Sequence, residues 1–138
     1  MPDTEKITIN MNPVELGTID LLVDQGFYSN RTDCIRTAIR NLLNSHADVV
    51  KETVKRKSYT VGLVTLGRKE LEAAKKAGQM LDIKVLGMAY ISDDVSPALA
   101  RETIQSFAVN GGIRAPKGVL EAMADRMGKA AAFFRKTS

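Results

Sequence analysis

Polar and apolar residues alternate strictly over Lys6-Ile7-Thr8-Ile9-Asn10-Met11, close to the start of the chain. A period of two belongs to a strand, with Ile7, Ile9 and Met11 on one face and Lys6, Thr8 and Asn10 on the other. No second strand-like run follows before Tyr59. A lone strand leaves its backbone groups without ladder partners, so the expected partner is the same strand of a second copy. The period then lengthens to three and four. Asn12-Pro13-Val14-Glu15 reads as a helix start, with Asn12 as cap, Pro13 at the first helical position and Glu15 closing a capping box. Leu16, Ile19, Leu22 and Val23 form the apolar stripe, and Gly26 marks a left-handed stop ahead of Phe27 and Tyr28. A second start is written in Asn30-Arg31-Thr32-Asp33, with Ser29 as the alternative cap. Its stripe of Ile35, Ala38, Ile39, Leu42 and Leu43 runs on through Val49, Val50 and Val54 to the basic cluster Lys55-Arg56-Lys57. A break is expected near Asn44-Ser45.

From Ser58 the pattern changes. Residues 59–66, 83–91 and 107–113 read as strands, and residues 67–77, 95–104 and 116–127 as short helices. Starts recur at an interval of 24, in Tyr59/Ile83/Phe107, Val61/Val85/Val109, Leu71/Val95/Val119 and Ala74/Ala98/Ala122, with Gly87/Gly111 matching in the last two copies. The match is better between copies two and three than for copy one. Alternating strands and helices with tight connections predict parallel strands and right-handed crossovers. Asp93-Asp94 are expected to cap the helix at Val95, with Pro97 near its start, and Gly111-Gly112 to make a turn rather than a phosphate loop.

At this point the N-terminal residues carry a resemblance. The strand and cap KITINMNP, followed by GFYSNRTDCIRTAIRNLL, resemble the ribbon-helix-helix family of bacterial regulators, the MetJ/Arc/CopG superfamily. The second block is similar to that family's Gly-aromatic-x-x-Arg-Ser-Glu-x-Ile-Arg pattern, with Thr32 and Asp33 in the Ser and Glu places. The likeness covers residues 5–45. It implies an intertwined homodimer, because so short a unit cannot bury enough apolar surface alone. It further implies an antiparallel ribbon that lies in the major groove of double-stranded DNA. Lys6, Thr8 and Asn10 would then meet base edges: Asn suits adenine, Thr the thymine methyl, and Lys guanine or a phosphate. The start of the second helix, with Ser29, Asn30, Arg31 and Thr32, would grip a backbone phosphate through its N–H groups and dipole.

Composition narrows the rest. The formal charge is +4, yet residues 1–58 hold eight basic and eight acidic side chains, so the excess sits outside the expected DNA-binding segment. One cysteine, Cys34, forms no disulfide within the chain, and one histidine, His46, builds no zinc or haem cluster and serves no serine or cysteine as a base. Some ribbon-helix-helix regulators carry a histidine-rich nickel domain, and that ligand set is missing here. No cofactor is therefore expected, nor an enzyme. Apolar runs are too short for a membrane helix and the start is unlike a signal peptide, which points to the cytoplasm.

The expected fold class is α+β. Residues 1–57 form the ribbon-helix-helix domain for DNA binding and dimerisation. Residues 58–127 form a small α/β module of three βα units, or a short βα solenoid, that serves assembly or partner binding and supports higher oligomers. Residues 128–138 form a basic tail with Phe133-Phe134. The expected function is sequence-specific transcriptional regulation as a repressor. The rival reading is an antitoxin or plasmid-maintenance protein whose C-terminal half holds a protein partner.

Overall fold

The computed structural model describes residues 4–127, so the basic tail 128–138 and Phe133-Phe134 lie outside the described residues. Three helices come first: α1 (Pro13–Asp24), α2 (Arg31–Ser45) and α3 (Ala47–Lys57). The caps form where their side-chain chemistry requires. The Asn12 Oδ1 accepts from the Glu15 N–H at 2.8 Å. At the other end of α1, Gly26 takes φ 84, the Phe27 N–H donates to the Leu22 carbonyl, and the Gly26 N–H to Val23. That pair of bonds absorbs carbonyls the helix would otherwise leave bare. The expected break falls at His46, which is exposed and takes φ −108, outside the helical range.

The chain divides into two units, one ending at Glu52 and the other beginning at Thr53, within α3. In the first unit α1 packs on α2, but Cys34 is the one buried residue of the three helices, at 8% exposure. Val14, Leu21, Phe27, Leu42 and Leu43 stay exposed. Residues 4–11 adopt no regular secondary structure and join no sheet within the chain. The strand expected over residues 6–11 is thus absent from the single chain, for the reason its sequence suggests: no other segment in this half has strand period.

The second unit is built by βα repetition. Strand β1 (Thr60–Leu66) leads to α4 (Arg68–Lys76), β2 (Leu81–Ile91) to α5 (Pro97–Thr103), and β3 (Ile104–Arg114) to α6 (Lys117–Ala122), followed by a 3-10 turn at Ala124–Arg126. The three strands are parallel in the order β1-β2-β3. The molecule is therefore of mixed α+β class. Its core lies on one face of the sheet, where Val85, Ala89, Phe107 and Val109 meet Leu71 of α4, Ala100 of α5 and Val119 of α6. No loop separates α5 from β3. Buried Thr103 closes that junction by donating its hydroxyl to the Leu99 carbonyl at 2.7 Å.

Register corrects several expectations. Between β2 and β3 the interval is 24, with Ile83 beside Phe107, Val85 beside Val109 and Gly87 beside Gly111. Between β1 and β2 it is 25, so Val61 pairs with Leu86 rather than aligning with Val85. The Val61 side chain thus lies on the face opposite buried Val85 and is 64% exposed. Gly111-Gly112 is no turn; both residues lie inside β3. The 25-residue step places Gly62, Gly87 and Gly111 in one row across the sheet, all at positive φ (115, 142 and 131). A Cβ on Gly87 would overlap the Gly62 carbonyl, and one on Gly111 the Gly87 carbonyl. Asp93 and Asp94 do not cap a helix. Ser96 does, accepting from the Leu99 N–H at 3.1 Å, because Pro97 occupies the first helical position.

Gly87→Ala should cost roughly 2–4 kcal/mol, since it combines a conformation disfavoured for any L side chain with a backbone clash. Urea unfolding followed by circular dichroism measures it, and a loss under about 1 kcal/mol would contradict the stacked-glycine account.

Candidate nucleic-acid interface

Two sets of residues are candidates to meet DNA. The structure places the first, Lys6, Thr8 and Asn10, on an exposed segment just before α1. The opposite side of the alternation is exposed as well, with Ile7 at 72% and Ile9 at 65%. Apolar and polar faces of this segment thus both look outward from the single chain.

The second set comes together at the N-terminus of α2. Asn30 is the cap, in extended backbone (φ −165, ψ 178), and its Oδ1 accepts from the Asp33 N–H at 2.8 Å. The Asp33 carboxylate reaches back past the cap and accepts from the Ser29 N–H at 2.9 Å. Ser29 is therefore a donor in the box and not the cap. These two bonds use the amides of Ser29 and Asp33. Arg31 and Thr32 occupy the first helical positions, whose N–H groups have no partner one turn earlier.

The guanidinium of Arg31 does not stand apart. Its Nε donates to Asp20 Oδ1 at 2.7 Å and an Nη to Oδ2 at 2.8 Å, a two-pronged pair that ties α1 to the start of α2. No motif or spacing in the sequence marks Asp20. It lies eleven residues upstream, and only the turn between the helices brings it close. Beside the one guanidinium at the first turn of α2 there are thus two carboxylates, Asp33 of α2 itself and Asp20 of α1. An incoming phosphate would have to compete with Asp20 for Arg31, while the helix dipole and the first-turn amides favour it. Among the described residues no hydrogen bond links this cluster to Lys6, Thr8 or Asn10, and no group of three or more His, Cys, Asp or Glu side chains could hold a metal ion. Nor is any described helix long and apolar enough to cross a membrane.

The Arg31 guanidinium holds the Asp20 carboxyl below the usual aspartate range, chiefly by hydrogen bonding. A lowered carboxyl contributes stability that is present above its unfolded-state value and is lost as pH falls through the folded one. Asp20→Asn should therefore lower the melting temperature at neutral pH, and the gap from wild type should close on acidification. Both side chains are half exposed, so the effect is small and salt-sensitive. A gap that persists unchanged at acid pH would assign the loss to packing instead.

Comparison with known proteins adds the last finding. A family model described as the ribbon-helix-helix transcriptional regulator family matches residues 2–120, which takes in the helical half, the whole parallel sheet and part of α6. No curated protein and no solved structure matches the chain. With most of its length inside that pattern, the chain belongs to the ribbon-helix-helix transcriptional regulator family.

Proposed function

We propose that two copies of this chain form a homodimer that represses transcription by laying an antiparallel ribbon, residues 6–11 of each copy, in the major groove of operator DNA. Family membership already makes the protein a DNA-binding transcriptional regulator; the proposal concerns how it binds. One observation supports it above the others. Among the described residues the helical half buries only Cys34, while Ile7 and Ile9 of the same half stand exposed. Covering such side chains is worth roughly 1.5–3 kcal/mol each, which a symmetric partner supplies. Pairing the strands would turn Ile7 and Ile9 onto the shared helices and leave Lys6, Thr8 and Asn10 facing the groove.

In this reading the cluster at Ser29, Asn30, Arg31 and Thr32 seats a phosphate and sets the register of the ribbon. Residues 1–57 act as the DNA-binding and dimerisation domain. Residues 58–127 form a separate module, read as a short βα solenoid, and the protein works in the cytoplasm. The antitoxin alternative draws its partner-binding segment from a short unfolded stretch, and the buried core of residues 64–127 does not favour it.

Thr8→Ala and Asn10→Ala should each reduce discrimination between operator and scrambled DNA by roughly 1–3 kcal/mol, with the oligomer intact. Fluorescence anisotropy on both DNAs checks this, and unchanged discrimination in both variants would sink the assignment.

Arg31→Ala should weaken binding to every DNA sequence alike and shallow the salt dependence by about one phosphate contact. Salt titration of both DNAs decides. A loss confined to one base position would mean that Arg31 reads sequence.

A further inference from the structure

The sheet of the second unit ends in two edges, β1 on one side and β3 on the other, and no described strand pairs with the outer side of either. Soluble proteins ordinarily blunt such edges with lysine, proline or a bulge, and stacked repeats end in polar caps. Strand β1 reads Thr-Val-Gly-Leu-Val-Thr-Leu, with neither a charge nor a proline. Strand β3 has no proline, and its one charge stands at its last residue, Arg114. The glycine row shows how strands fit one another inside the sheet. Where a side chain would stand on Gly87 lies the carbonyl of Gly62, and where one would stand on Gly111 lies the carbonyl of Gly87. Gly62 has the same positive φ, yet among the described residues nothing lies within 4 Å of the corresponding space. The outer edge of β1 thus presents an open notch of the kind that receives a carbonyl at the two interior positions. At the far edge the row ends on Gly111, which is exposed.

We propose that β3 of one copy of the chain docks parallel on the outer edge of β1 of another, with Gly111 level with Gly62, so that the glycine row runs on from chain to chain. The two edges specify that occupant. Gly62 and Gly87 each turn a carbonyl toward the next strand, and the same geometry at Gly111 offers a carbonyl to the notch at Gly62. Two β1 edges, or two β3 edges, would set like against like; only the unlike pair gives the notch its carbonyl. The internal steps of 25 and 24 residues fix the register, which sets Asn110 of one copy beside Val61 of the other and Ala108 beside Tyr59. Main-chain hydrogen bonds along the seven residues of β1 supply the attraction, so the contact does not depend on apolar area. On the helical side α4 packs on α5 and α5 on α6, and a docked β3 brings its own α6 alongside α4 in the same manner. Each copy gives one edge and receives on the other, so chains join in a row instead of closing as a pair. The contact goes beyond the homodimer proposed above and does not rest on it.

Disulfide trapping in the full-length chain, with Cys34→Ala as background, tests the register. Within one chain Val61 and Asn110 stand roughly 9–10 Å apart across β2, beyond the about 7 Å that a disulfide spans. Under mild oxidation the Val61→Cys, Asn110→Cys double variant should therefore give a ladder of dimers, trimers and longer chains on a denaturing, non-reducing gel, collapsed by reductant. Each single variant should give no ladder, and neither should the offset pair Leu63→Cys, Ala108→Cys, which the register holds roughly 13 Å apart along the strand. The denaturing gel counts only covalent links, so contacts between the helical halves do not enter the result. No ladder from the folded double variant overturns the proposal. So do single-cysteine dimers as strong as its first rung, which would mean that like edges pair, and so does equal cross-linking of the offset pair. Should circular dichroism show the double variant unfolded, the second pair in register, Tyr59→Cys with Ala108→Cys, decides under the same criteria.

Discussion

Apolar side chains have to be kept from water, and in this protein the two halves meet that requirement differently. The βα half does so within the chain, through one core closed by α4, α5 and α6 against three parallel strands. The helical half does not, since one small residue, Cys34, is all that α1, α2 and α3 bury. Its helices are well capped at the starts of α1 and α2, but caps contribute only about 1 kcal/mol each and cannot replace a core. Secondary structure in that half is therefore a local property, and its three helices carry little buried core of their own.

That difference explains how much could be read from the sequence. Side-chain chemistry acting over three or four residues was legible: Asn12 and Asn30 as caps, Gly26 as a stop, and a break near Asn44-Ser45, which falls one residue later at His46. So were the three strands and the parallel order, because residues 58–127 carry their pattern in short, clean periods. What escaped depends on juxtapositions that spacing does not encode. The Asp20–Arg31 pair exists because a turn folds α1 back on α2. Ser96 rather than Asp93 or Asp94 caps α5, since a proline at the first helical position fixes where the helix begins. The equal-interval alignment of the first repeat was off by one residue, so Val61 pairs with Leu86 rather than Val85 and its side chain is exposed. In a strand, a slip of one exchanges the two faces completely.

Around the start of α2, hydrogen bonding and charge pull in different directions. The amides and the dipole invite an anion, whereas Asp33 and Asp20 spend part of that invitation on protein carboxylates. The same arrangement gives the first turn a defined geometry without DNA. A rigid, partly neutralised turn suits a positional contact that does not discriminate among sequences. Sequence choice would then rest with the short side chains of residues 8 and 10, whose hydroxyl and amide groups carry no charge.

The glycine row also limits how this chain can vary in length. Each strand must present a glycine at the same level, so residues cannot be added or removed between that glycine and its neighbours without misaligning the row. The helical side has no such constraint. The first repeat spends a single residue, Gly67, entering its helix and four, Ala77 to Met80, leaving it; the second spends five, Ser92 to Ser96, entering and none leaving. Insertions and deletions among relatives should therefore collect in the strand-to-helix and helix-to-strand corners. If the module grows or shrinks over evolutionary time, the smallest step that preserves its geometry is one whole repeat of about 24 residues.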